Sequence, residues 1–330
     1  MSLHQEYQQP LVSIIIPTYN RPEYLKQAIA SAIKQTYQNI EIIVSDNCSS
    51  QNIQAIAASF GDSRIKFWRH QRNVGMLANQ QHGFKMAQGK YVASLHDDDI
   101  WNEDFLAKLV PPLEANSELI IAFCDQYIID ANGIINHSGT EENTCGYKRD
   151  KLTKGIHKPF DKIGLIDKSI PTAAACVIRN NLIDWDTVPA EVGGMWDLYL
   201  TYLCYISGYG AYYYPERLTR YRAHDQTDTM LSGSRDVQAK IRKAKSEIFC
   251  YQVFMEDARL QQFKSYFQQK WLEANTTLGI GLLRSEQIAA ARPYFWQVLN
   301  KQKFNARTLA ALTLSFSPRF LVSKLIALSK

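Results

Sequence analysis

An α/β fold, with a mostly parallel sheet flanked by helices and an all-helical extension behind it, is predicted by two patterns in this 330-residue sequence. Over roughly the first hundred residues, β-branched runs alternate with helical-period segments in the order β-α-β-α-β-α-β, as a doubly wound parallel sheet requires. From about residue 235 onward the pattern is helical throughout, with no strand-rich run. The predicted organisation is a disordered tail over residues 1–10, an α/β domain over 11–230 and a helical extension over 231–330.

The first strand is residues 11–16, Leu-Val-Ser-Ile-Ile-Ile, stopped by Pro17. Leu25, Ala28, Ile29 and Ala32 recur at helical spacing, which predicts a helix over 22–34 with Pro22 in its first turn. A second β-branched strand spans 40–44. The turn at 45–50 is rich in capping residues and leads into a helix over about 52–58. Residues 64–68 form a third strand, Asn73-Val74-Gly75 a turn, 77–86 a helix and 91–95 a fourth strand. Beyond these, helices are expected at 105–113 and 197–206, and strands at 119–129, 173–178 and 211–215. Residues 131–171 lack periodicity and are expected to form a long loop.

Composition narrows the function. With 46% hydrophobic and 21% charged residues the chain is an ordinary globular protein, and a net charge of +5 is too weak to indicate nucleic acid as a partner. Its six cysteines are scattered without C-x-x-C or zinc spacing, as in reduced cytosolic proteins. No secretory leader opens the chain and no apolar run is long enough to span a bilayer. The expected location is cytoplasmic, with peripheral contact to the inner face of a membrane through the C-terminal helices as an open alternative.

The chemistry concentrates where strands end. Residues 91–101 read Tyr-Val-Ala-Ser-Leu-His-Asp-Asp-Asp-Ile-Trp, a strand running into three consecutive carboxylates. Adjacent like charges raise one another's pKa unless a cation lies between them, and a divalent metal with oxygen ligands is the usual solution. The plainer reading is a solvated acidic turn. Ligands in parallel α/β sheets bind beyond the carboxyl ends of the strands, however, and the triplet stands at one. Pro17, Thr18 and Tyr19 end the first strand, Asp46 the second, and Asn73 follows the third. Asp46 could accept the N3–H of a uracil-type base, or cap the helix after it.

The segments Val12–Arg21, Ser45–Ser49 and His96–Asp99, in this order and spacing, resemble the family-2 glycosyltransferases, inverting enzymes of GT-A fold. The resemblance covers roughly residues 11–224. It implies a nucleotide-sugar donor whose base is held by Pro17, Thr18, Tyr19 and Asp46, with Asn73 in the same nucleotide-binding set. It also implies that Asp97 faces the ribose and that Asp98 and Asp99 bind a divalent ion, Mn²⁺ or Mg²⁺. His96 stands where the family often has its first Asp, so the division of roles within the triplet stays open. The family places its catalytic base at the start of a helix. That position falls on Asp197 in Gly193–Leu198, with Trp196 in place of the usual Glu and with Glu191, Asp184 and Asp186 as fallbacks. The run Tyr221-Arg222-Ala223-His224 resembles the family's closing motif, giving Arg222 to the diphosphate and His224 to the metal, before a possible lid at 224–234.

The expected reaction is transfer of a sugar from a nucleotide diphosphate, UDP or dTDP favoured, to a hydroxyl of a glycan or lipid-linked saccharide. Two alternatives are a degenerate binding protein and a sugar-1-phosphate nucleotidyltransferase. The second lacks the Gly-rich loop it would need after the first strand. Residues 306–328 are apolar but interrupted by Arg307, Pro318, Arg319 and Lys324. They suit either a helix lying on a membrane or a face packed on protein.

Overall fold

The computed structural model describes residues 9–224 and 236–317. Residues 1–8 of the predicted tail, the proposed lid from 225 onward and the end of the chain from 318 lie outside them, whereas Gln9 and Pro10, placed in the tail by the sequence, accept hydrogen bonds from Gln38, Asn39 and Tyr37. The N-terminal half alternates as expected: β1 (Val12–Thr18), α1 (Pro22–Ile33), β2 (Ile40–Asp46), α2 (Ile53–Ala58), β3 (Ile65–Arg69), α3 (Met76–Met86) and β4 (Tyr91–Ser94). After β5 (Ile100–Trp101) come α4 (Phe105–Ala115), β6 (Leu119–Ile129), α5 (His137–Gly146), β7 (Gly155–His157), β8 (Cys176–Arg179), α6 (Trp196–Ile206) and β9 (Gly210–Arg222). The sheet runs β3-β2-β1-β4-β8-β6-β9-β5, with β7 on β9.

One half of this sheet is parallel and the other mixed. Strands β3, β2, β1 and β4 run parallel, β8 is antiparallel to both β4 and β6, and β6 is parallel to β9. Every residue of β2 is buried, as in a strand covered on both faces, and Glu41, the charged residue within its apolar run, is paired with Ser13 and Lys66. On one side of the sheet Val12, Ile14 and Ile16 pack with Leu25, Ile29, Ile42 and Leu109 in one core. On the other, α3 comes so close that a Cβ on Gly83 would collide with Ile15.

Three expectations change. Pro17 does not stop β1, which continues to Thr18. Even-numbered residues of β1 bond towards β2, as in Val12 N–H to Asn39 O, and odd ones towards β4, as in Leu95 N–H to Ile15 O. The amide missing at Pro17 therefore points to the side where β4 has already ended at Ser94, and no ladder bond is lost. Residues 131–171 are not a bare loop: α5, the β7 strand and a π-turn at Lys162–Ile166 lie within them. Helix α5 has almost no amphipathic pattern and is held instead by the Asn136 cap and by buried Thr140 and Thr144. Finally, β9 runs seven residues past the aromatic segment expected, since pairing with β6 and a register shift near Asp125 absorb its Pro-Glu-Arg stretch.

The described residues fall into two compact units. The first comprises residues up to 188 with 197–223, and the second 189–196 with those from 224 onward. The second unit is helical, with α7 (Val237–Glu256), α8 (Lys264–Arg284), α9 (Ile288–Lys301) and α10 (Ala306–Leu314). Ile241, Leu278, Leu282, Phe295 and Leu312 are among the residues of its core. Asp236 and Asn305 cap α7 and α10 through the N–H groups of Ala239 and Thr308.

Candidate active site

The parallel register brings Thr18 of β1 beside Asp46 of β2, with the turn after β4 on the other flank. Thr18 Oγ1 donates to Asp97 Oδ2 at 2.8 Å, and the Tyr19 amide points to the same oxygen at 3.4 Å. Arg21 reaches Asp97 at 3.1 Å and Asp98 at 2.7 Å through one guanidinium nitrogen. Sequence reasoning gave Arg21 no role. It is the cation nearest two of the three carboxylates.

The turn itself is tight, with Asp99 N–H bonding back to His96 O at 3.1 Å. One ligand atom each from His96, Asp98 and Asp99 lies within 4.8 Å of the others. His96 Nδ1 stands 3.6 Å from Asp99 Oδ2, a buried oxygen with no hydrogen-bond partner. Burial, then the charge of Asp98, pushes the Asp99 carboxyl up to about 8 and that of Asp97 up to about 6. For His96 burial alone would lower the pKa, but Asp197, Asp99, Asp98 and Asp97 together raise it. A site where carboxylates resist ionising while an orphaned oxygen faces an imidazole suits a divalent cation. His96, Asp98 and Asp99 have donors of the right kind, and the imidazole favours Mn²⁺ over Mg²⁺. His96 was legible as the residue standing at the family's first acidic position, but read as a departure rather than a ligand.

Asp197 sits in the first turn of α6, where its Oδ1 accepts the Ala173 N–H at 2.7 Å. It is half-buried, and close enough to influence both His96 and Asp99 electrostatically. The fallbacks are placed differently. Asp184 caps the short helix Trp185–Thr187, Asp186 pairs with Lys85 on the surface, and Glu191 is exposed in the second unit.

Asp46 is fully buried, but it does not cap α2. Asn52 does that, accepting the Ala55 N–H, while Asp46 Oδ1 accepts the Ser49 N–H at 2.9 Å and closes the turn between them. Its Oδ2 has no hydrogen-bond partner and lies 3.5 Å from Arg69. Asn73 Oδ1 accepts from Asn47 Nδ2 and from the Gly75 amide, which ties the third strand-end turn to the second. The Tyr19 ring is 44% exposed, enough to offer a face to a base.

The Arg222 guanidinium does not extend towards a phosphate. Completely buried, it donates to Asp98 O at 2.7 Å, to Asp130 O and Ala131 O, and to Gln27 Oε1 at 2.8 Å, and it lies over the Tyr24 ring. Its backbone N–H donates to Asp99 Oδ1 at 2.9 Å. This geometry makes Arg222 a positioning residue for the acidic turn, with Gln27 as the partner that spacing in sequence could not show. His224 is buried and is the residue at which the chain enters the second unit.

Residues 13–165 match Glycosyl transferase family 2, and this part of the chain is a family-2 glycosyltransferase domain of GT-A fold. An uncharacterized glycosyltransferase of Rickettsia typhi is 36% identical over 129 residues, 39% of this chain and 40% of that protein. The Escherichia coli UDP-Glc:alpha-D-GlcNAc-diphosphoundecaprenol beta-1,3-glucosyltransferase WfgD is 34% identical over 125 residues, 38% and 49% of the two chains. The chain spans about half the length of the curated relatives it matches. Among solved structures, the mannosyltransferase PcManGT from Pyrobaculum calidifontis, in complex with GDP-Man and Mn²⁺, superposes with a TM-score of 0.56. It covers 97% of this chain and 87% of its own at 15% identity, a likeness of fold alone.

Proposed function

We propose that the protein transfers a sugar, with inversion, from a nucleotide diphosphate donor to a hydroxyl of a lipid-linked saccharide, using a divalent cation held by His96, Asp98 and Asp99. The observation that carries this reading is the convergence of those three ligand groups at a parallel-strand end, with Asp197 beside them. The lipid-linked acceptor and a UDP donor are suggested by the name of WfgD, and the metal by the PcManGT complex.

Each residue then has a distinct task. Asp197 accepts the proton of the attacking hydroxyl. Thr18 and Arg21 orient Asp97 for the ribose, and Asp46 Oδ2 offers an acceptor to a base N–H. A bound cation would stabilise the charge that builds on the departing diphosphate. Arg222 keeps the turn carrying Asp98 and Asp99 in register with β9.

Thermal unfolding with UDP, dTDP and GDP, with and without Mn²⁺ or Mg²⁺, tests the donor site. A ligand that binds only the folded state at about 100 Kd adds about 2.7 kcal/mol. Metal-dependent stabilisation by one nucleotide, lost in Asp98→Asn, is the expected result. Indifference to every nucleotide under both metals would remove the donor site and the transferase reading with it.

A further inference from the structure

We propose that the α9–α10 end of the second unit docks on an anionic lipid bilayer, with Phe304 as its inserting tip. From Gln287 to Lys330 the sequence has seven Lys or Arg residues and no Asp or Glu, so more than the whole net charge of +5 lies in this one stretch. Large apolar side chains stand in solvent within the same stretch: Phe304 is 91% exposed, Phe316 61%, Trp296 50% and Leu309 40%.

Their placement is ordered. Helix α10 buries Thr308, Ala311 and Leu312 against its own unit. Leu309 and Thr313, with Phe316 in the closing turn, repeat at i, i+4 and i+7 and form an exposed flank beside the buried face. A surface helix ordinarily has charged residues there. In α10 the one charged residue is Arg307, so both faces are poor in charge. Phe304 projects from the turn that joins α9 to α10, between Lys303 and Asn305, with Lys301 also exposed. The Arg292 guanidinium covers the Phe316 ring at 4.2 Å and donates to Ser315 O at 2.6 Å.

Glu273 of α8 faces Arg307, but aromatic rings in a basic stretch that itself holds no acidic residue are the composition of an interfacial anchor. The rings enter the headgroup boundary, while the cations gain from the negative surface. A protein partner that matched this face would need an acidic rim and an apolar centre. A bilayer of anionic lipid offers both over any area, and it is where a lipid-linked acceptor resides. The inference goes beyond the transfer reaction and does not depend on it.

Co-sedimentation of the full chain with vesicles of phosphatidylcholine alone, or mixed with phosphatidylglycerol, tests the proposal. Binding is expected to the mixed vesicles only, and to weaken with salt. Lys301→Gln with Lys303→Gln should weaken it by about fivefold per charge removed, and Phe304→Ser by about tenfold or more. Because Phe304 is exposed, that variant should melt as the wild type does and keep the nucleotide and Mn²⁺ response of the first unit. Failure to bind mixed vesicles, or binding that neither substitution changes, would overturn the proposal. So would a concentration-dependent dimer that Phe304→Ser abolishes with no vesicle binding in the wild type. Loss of the nucleotide response would instead count against the transferase reading.

Discussion

Asp197 and Asp98 are both aspartates near one turn, yet their surroundings separate their tasks. Asp98 is gripped by Arg21 and shares a ligand cluster with His96 and Asp99. Asp197 is anchored at one oxygen by the Ala173 amide, which leaves the other for a substrate proton. Asp197→Asn removes the base while preserving that hydrogen bond. Transfer should fall by about 10²–10⁴-fold, with donor-induced stabilisation unchanged in thermal unfolding. A variant that kept its rate would shift the base elsewhere. A wild type that bound donor but neither hydrolysed nor transferred the sugar would be a binding protein. The triplet and Asp46 could be located at strand ends because sequence patterns mark those ends well, whereas Asp197 was singled out through the family resemblance. Arg21 was overlooked because a lone arginine after a strand carries no signal until its partners, more than seventy residues away, fold against it.

At the scale of elements, helix boundaries were legible wherever local capping decides them. Asn52 caps α2, and Pro22 opens α1. Strand β9 was legible only in its aromatic start, because the rest is polar and is held by a partner strand rather than by its own pattern. Close packing between helices is equally invisible in sequence. On α8, a Cβ at Gly279 would enter van der Waals range of the Phe295 ring. Gly279→Ala therefore gains helix propensity but overpacks this contact, and should destabilise the second unit by about 1–3 kcal/mol, measured as a lower midpoint in urea. Phe295→Leu in the same background should recover part of the loss by removing the clashing ring.

Across the whole molecule, the candidate cation ligands His96, Asp98 and Asp99 belong to one compact unit, and the described part of the basic stretch from Gln287 onward belongs to the other. Hydrogen exchange can read them separately. Adding Mn²⁺ should raise protection of the amides in β1 and β4, which flank the acidic turn, and leave α8 and α9 near their metal-free rates. Equal protection in both units, or none, would contradict a metal site confined to the first. Among the described residues, no helix is long and apolar enough to cross a membrane.

The sequence by itself determined the alternation of the first four strands, the acidic turn at a strand end and the helical character of the C-terminal part. Each is written in local periodicity or in the residue type that ends an element. Tertiary structure alone decided the mixed half of the sheet, the commitment of Arg222 to backbone carbonyls and the pairing of Arg21 with Asp97 and Asp98. These depend on contacts between distant segments, since Arg222 meets Asp98 and Gln27 only after β9 has crossed the molecule to lie beside β5 and β6. Local pattern states what a residue can do, and packing determines which of its atoms remain available to do it.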